Sequence, residues 1–278
     1  MTSRNLITST FDKNWILQGW QKISSQEKEH INSRMYEIFK DGLPFELKQG
    51  KLLYIYTFSF LAQLEILALQ IPLTFKEKLP TAQLRKTMHL QLVDEIFHVL
   101  VFKKIVKLLC LPDATPPAYD ENLESLCNFI RMQECPKMGV VLFNLIGKGW
   151  LEQIFYSLTK SNIAPKVFSE IFKDEQRHFN QVEMYKEIGI PPEELIISKL
   201  AYLEEKFLPK MLFQYRYSFS FATLIGLPGI VDFLESLNKR HTEQLSKINL
   251  KPSEKWLYFM KFSQDNLPKK IRKMIHSF

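Results

Sequence analysis

Four glutamates and two histidines recur along the chain in one order, each inside a stretch with helical apolar spacing. The order is Glu65, then Glu95-Ile96-Phe97-His98, then Glu152, then Glu175-Gln176-Arg177-His178. In a helix, at about 100° and 1.5 Å per residue, a Glu and a His three apart lie one above the other on one face. Carboxylate and imidazole can therefore grip one metal ion. Two such grips, each preceded by a helix with a lone Glu in an apolar run, make the ligand set of a dinuclear carboxylate bundle. A chain built this way has to bring four helices side by side, so the expected class is all-α.

The rest of the sequence agrees with that class. Nine glycines in 278 residues are few, and the apolar residues recur with helical rather than alternating spacing. No Gly/Ser-rich linker or long charge run marks a boundary. One domain over residues 1–278 is expected, with a metal-binding core bundle at about 50–190 and peripheral helices at 1–49 and 191–278. Cys110, Cys127 and Cys135 form no Cys-x-x-Cys pair and cannot all be bridged, which points to a reduced, cytoplasmic compartment. The N-terminal residues carry no apolar signal segment.

One run imitates a membrane span, since Leu52 to Leu73 contains no Lys, Arg or Asp. Glu65 lies near its middle, between Gln63 and Gln70. An acidic group at bilayer depth costs roughly 2.5–3.5 kcal/mol. A buried bundle helix is expected instead, with no transmembrane segment. The net charge of +7 gathers partly at Lys269, Lys270, Arg272 and Lys273, interleaved with Ile271, Met274 and Ile275. That pattern is expected to be a solvated terminal helix rather than a nucleic-acid contact.

Helix ends follow from local chemistry. Ser24-Ser25-Gln26-Glu27 has capping-box spacing, and Asp41-Gly42-Leu43-Pro44 closes that first helix. The Glu65 helix begins near Gly50. It has to pass through Pro72 to about Lys78 if Glu65 is to lie level with Glu95, which stands about 14 residues beyond the N-cap Thr81. The next helix is expected over Ala82–Cys110, a shorter one over Asn122–Met132, and an inner one over Gly139–Leu158 that is apolar nearly all round. Pro165 opens the fourth core helix, which Gly189-Ile190-Pro191-Pro192 ends. Breaks are expected at Pro209, at Gly226-Leu227-Pro228-Gly229 and at Pro252.

With 22 Glu and six His, chance alone gives about half of one Glu-x-x-His, and the chain has three. The third, Glu27-Lys28-Glu29-His30, has charged neighbours and is expected to lie on a wet face. The other two stand among Ile96, Phe97 and Val99, and among Ile171, Phe172 and Phe179. Glu65 has Leu61 and Leu69 one turn away, and Glu152 has Phe155 close by. Four inward carboxylates are costly to bury unless protonated or neutralised. Two divalent cations neutralise them, and the mixed oxygen and nitrogen set suits iron or manganese. Asp94 and Asp174, each preceding a motif Glu, could either hold the ligand His of the neighbouring motif or be ordinary surface charge. His89 is half a turn out of phase and is expected to face away. Tyr156 could point toward the cluster or pack in the core. Phe97, Phe102, Phe155 and Phe172 are expected to line a dry pocket.

At these motifs, over roughly residues 50 to 190, the chain resembles the ferritin-like diiron-carboxylate superfamily. The resemblance implies bridging by Glu95 and Glu175, terminal ligation by Glu65 and Glu152, and capping of one iron each by His98 and His178. It also implies dioxygen chemistry at a diferrous centre. Asp94-Glu95-Ile96-Phe97-His98 and Asp174-Glu175-Gln176-Arg177-His178 look most like arylamine N-oxygenases related to para-aminobenzoate N-oxygenase. Those enzymes carry an extra histidine ligand one turn before the last motif, where this chain has Ile171. The Asp-Glu-x-Arg-His form also resembles soluble acyl-carrier-protein desaturases, and a tRNA-hydroxylase relative fits the basic charge. A ribonucleotide reductase small subunit would carry Tyr where Phe102 stands, and the four-Cys site of rubrerythrin-like proteins is missing.

The expected function is thus that of a cytoplasmic non-haem diiron oxygenase acting on a small organic substrate, free or carrier-bound. Two Fe ions, or a Mn/Fe pair, would be its cofactors, with O₂ as co-substrate, a separate electron donor and a homodimeric assembly. The rival from another class is a ferritin-like protein that oxidises Fe²⁺ without an organic substrate.

Overall fold

The structure is a computed structural model that describes residues 14–110, 121–180, 188–207 and 215–275. Every regular element among them is helical. In chain order they are α1 (Trp15–Gln21), α2 (Ser25–Phe39), α3 (Lys51–Phe75), α4 (Ala82–Cys110), α5 (Glu121–Arg131) and α6 (Pro136–Val140). A π-helical segment, Val141–Gly147, joins α6 to α7 (Lys148–Lys160), followed by α8 (Pro165–Asn180) and α9 (Glu193–Tyr202). After a π turn at Leu203–Phe207 come α10 (Tyr215–Ser246) and α11 (Glu254–Ile275).

The local signals act where the sequence puts them. The Ser24 side chain accepts from the Glu27 backbone N–H while the Glu27 carboxylate reaches back to the Ser24 N–H at 2.7 Å, closing the capping box. Thr81 Oγ1 caps α4 by accepting from the Leu84 N–H at 3.2 Å. Helix α3 runs through Pro72 and tightens to a 3₁₀ turn at Lys76–Lys78. Gly226 breaks α10 with φ 73° and ψ 169°, a conformation that suits a residue without Cβ. The expected break at Pro209 and the expected end of the fourth core helix before Gly189 fall outside the described residues.

Helices α3 and α4 form the most extensive pair, α7 packs on α8, and α8 reaches α4. Helix α10 lies against both α3 and α7, so the two halves share a common backing. Among the described residues the buried apolar side chains form one cluster whose members run from Ile16 to Met260. Burying Phe58, Phe75, Phe97, Phe102, Phe155 and Phe168 completely contributes about 1.5–3 kcal/mol per side chain. Two helical stretches, Lys51–Lys78 and Phe219–Ser246, are long and apolar enough to cross a membrane; 78% of the apolar window of the first is buried within the protein.

Candidate metal centre

Glu65 on α3, Glu95 and His98 on α4, and Glu175 and His178 on α8 converge in the interior. Glu65, Glu95, His98 and Glu175 are each 0% exposed, and His178 is 6% exposed. The first four could hold a metal ion, since each offers one ligand atom and these atoms all lie within 4.8 Å of one another. His98 Nδ1 stands 3.6 Å from Glu65, 3.7 Å from Glu95 and 3.4 Å from Glu175. His178 Nδ1 stands 3.6 Å from Glu95 and 3.5 Å from Glu175. None of these contacts is a hydrogen bond. Both Nδ1 atoms, both Glu65 oxygens and Glu95 Oε2 are buried without a hydrogen-bond partner. Buried polar atoms normally find one, so a convergent set of five donor atoms fits a metal ion.

The other nitrogen of each ring faces an aspartate of the opposite motif. His98 Nε2 lies 3.1 Å from Asp174 Oδ2, and His178 Nε2 lies 3.0 Å from Asp94 Oδ2. An ionised carboxylate only accepts, so Nε2 carries the proton and Nδ1 is left to face the cluster. Two arginines support the aspartates. Arg34 donates to Asp174 at 2.8 Å and stacks its guanidinium 3.7 Å from the Phe97 ring centroid. Arg177 donates to Asp94 at 3.0 Å and to Asp174 at 2.6 Å. Gln91 donates to Glu95 Oε1 at 3.4 Å and exchanges 3.2 Å hydrogen bonds with Asn144.

The sequence did not single out Lys148. Its ammonium is 1% exposed, 2.5 Å from Glu95 Oε1, and donates to both Glu175 oxygens at 2.8 and 3.0 Å. The available signal was a lysine in an otherwise apolar inner helix, one turn from Glu152 on the same face. Glu152 is not part of the convergent set. It pairs with Arg240 Nε on α10 at 2.7 Å, and its side chain is 16% exposed.

Charge and burial compete at each group. Burial, then the neighbouring Glu95 charge, pushes the Glu65 carboxyl up to about 8. Burial would raise Glu95 and Glu175 too, but the Lys148 charge overcomes it and holds both below the ordinary carboxylate range. Burial opposes the charged form of Lys148, yet Glu175, Glu95 and Glu65 together raise it above the usual lysine value. His178 is pushed up to about 9, burial and Lys148 opposing, Glu175 and the Asp94 hydrogen bond prevailing. Asp174 is held low because its contacts with His98 and Arg34 outweigh its burial.

The remaining sequence expectations resolve individually. His89 faces away from the cluster and lies 2.9 Å from Glu27 Oε1, so that glutamate joins a cap to a side-chain pair while His30 stays exposed. Tyr156 is 46% exposed and neither reaches the cluster nor packs in the core. Phe102 and Phe155 pack with Phe58 and Phe168 at centroid distances of 5.9–6.1 Å, a filled core layer rather than a pocket wall. Neither they nor Phe97 and Phe172 line the apolar cavity of about 70 Å³ found between α3, α5, α7 and α10. Its walls include Phe60, Leu64, Phe143, Trp150 and Tyr217. Phe143, which lines this cavity, has its ring 6.0 Å from Lys148 Nζ.

Comparison of the chain with protein-family models, with curated proteins and with solved structures found no match.

Proposed function

We propose that this protein is a non-haem iron enzyme that uses O₂ to oxidise a small organic substrate, with electrons from a separate donor. The observation that carries the proposal is the convergence of five buried, partnerless oxygen and nitrogen donors from three helices. In this interpretation α3, α4, the α6–α7 unit and α8 are the four helices of a ferritin-like bundle, and Glu65, Glu95, His98, Glu175 and His178 hold the iron. Iron bound there supplies the activation of dioxygen.

The protein's own residues supply the rest. Asp94 and Asp174 fix both imidazoles in the tautomer that directs Nδ1 inward. Phe102 stands one turn beyond His98 on α4, and the fully buried layer it forms with Phe58, Phe155 and Phe168 excludes water there. Lys148 holds a proton at Nζ against Glu95 and Glu175, a positive charge fixed inside the cluster. The cavity that Phe143 lines offers almost wholly apolar walls, which suits an aryl or alkyl portion of a substrate.

The test is anaerobic loading of the full chain with Fe²⁺, followed by O₂-uptake measurements with and without arylamines and acyl-carrier thioesters. Uptake that one substrate class accelerates is expected. Protein that takes up no iron, or loaded protein that consumes no O₂ with any of them, defeats the proposal.

A further inference from the structure

We propose that Lys148 is the second cation of the centre, so that the chain holds one divalent metal ion where the ligand order suggests two. The inference rests on the metal-binding interpretation above and concerns the half of the cluster that faces His178.

Position is the first argument. Nζ of Lys148 touches Glu95 Oε1 at 2.5 Å and both Glu175 oxygens at 2.8 and 3.0 Å. Glu95 Oε1 and Glu175 Oε2 are also the oxygens closest to His178 Nδ1, at 3.6 and 3.5 Å. A second ion bound by Glu95, Glu175 and His178 would need these same atoms. With Nζ 2.5 Å from Glu95 Oε1 and 3.0 Å from Glu175 Oε2, a second cation bound between these two oxygens would stand against a fixed positive charge.

Ligand supply is the second. A terminal carboxylate for that half should come from the inner helix, but Glu152 lies one turn beyond Lys148 and is bound to Arg240 at 2.7 Å. The other half needs no such help, because Glu65, Glu95, His98 and Glu175 have converging ligand atoms.

Charge is the third. Glu65, Glu95, Glu175, Asp94 and Asp174 bring five negative charges, and Lys148, Arg34 and Arg177 bring three positive ones. With both imidazoles neutral the set carries two net negative charges, the complement of one divalent ion. A second ion would leave two uncompensated positive charges, and of the cations in the set only Arg177 has a side chain more than half exposed, so the state is costly without further anions.

The experiment is a metal count. The full chain is stripped with chelator and loaded anaerobically with excess Mn²⁺ or Fe²⁺. Free metal is removed, and bound metal is measured by mass spectrometry with electron paramagnetic resonance of the Mn²⁺ form. One ion per chain with the spectrum of an isolated Mn²⁺ is expected, and Lys148→Glu should raise the count to two with an exchange-coupled spectrum. Should Lys148→Glu fail to fold, as judged by circular dichroism, Lys148→Gln serves instead and should load above one ion. Two ions in the unmodified chain, or a folded variant that stays at one, overturns the inference. Two ions leave the proposed oxygenase standing; one ion without O₂ uptake removes the oxygenase and leaves the role of Lys148. No ion in either protein removes both.

Discussion

Asp94 accepts a hydrogen bond from His178 at 3.0 Å, although each belongs to a different Asp-Glu-x-x-His motif, and Asp174 returns the contact to His98 at 3.1 Å. The motifs are thus cross-braced, each aspartate orienting the other helix's imidazole. Asp94→Asn or Asp174→Asn should weaken metal binding by about 10–100-fold while leaving the helices folded. Competition titration with a chromophoric chelator measures this. Affinities equal to wild type would show that the aspartates serve only their arginine partners.

The residues that converge should separate cleanly from those that do not. Glu65→Ala, His98→Ala and Glu175→Ala each remove a buried donor atom and are expected to lower bound metal at least tenfold. Glu152→Gln and His30→Ala should leave it unchanged, because Glu152 is held by Arg240 and His30 is exposed. Bound metal per chain decides the matter, and a loss with Glu152→Gln equal to that with Glu175→Ala would restore Glu152 to the ligand set.

Metal-free protein should become less stable as pH rises from about 6.5 to 9. The folded-state pKa of His178 is raised to about 9, so its contribution is complete below its ordinary value of 6.5 and is lost as pH rises through 9. Glu65, raised to about 8, keeps its proton in the folded state where the unfolded carboxyl has released it, and that stabilisation fades from 4.5 to 8. Both trends have the same sign and together amount to a few kcal/mol, order of magnitude only. Thermal unfolding of chelator-treated protein at pH 6.5, 7.5 and 9 should show Tm falling. Bound metal takes the place of these protons, so metal-loaded protein should show a flatter profile.

Away from the cluster, His241 carries a second buried network. Trp150 Nε1 donates to its Nδ1 at 3.1 Å, while its Nε2 donates to Glu204 Oε1 at 2.6 Å. The other Glu204 oxygen accepts from the Ser253 N–H at 3.0 Å, which ties the π turn, α10 and the start of α11 together. Glu204→Ala strands those donors and should cost about 2–4 kcal/mol in urea unfolding, with metal content unaffected. A change in metal content would mean that the two networks communicate.

Much of this architecture was written in local signals. Thr81, Pro165 and the Ser24–Glu27 box mark helix starts through backbone hydrogen bonding, which neighbouring residues decide. The requirement that Glu65 lie level with Glu95 carried α3 through Pro72, while the Asp before each motif Glu left open the choice between cross-brace and surface charge that the hydrogen bonds decide. Lys148 was not legible in the same way. Glu152 and Lys148 lie one turn apart on one face, about 6 Å along the axis, so the helix face they share could not choose between them. What chose was tertiary: Arg240, 88 positions downstream of Glu152, draws that carboxylate outward. The π-helical segment just before Lys148 leaves no mark in an apolar run either. The cavity was misplaced because aromatic residues near the motifs fill a core layer, whereas part of its wall comes from α5 and α10, which the motifs do not mention.

The cross-brace also sets when the site can exist. Its two hydrogen bonds join residues 76 and 84 positions apart, so neither forms until the chain has closed a long loop. A growing chain that has only reached the end of α4 holds Glu65, Glu95 and His98 but neither Glu175 nor the aspartate that orients His98. Any tight capture of a metal ion at these residues is therefore tied to a chain already made past α8, and a half-made protein offers it no complete seat.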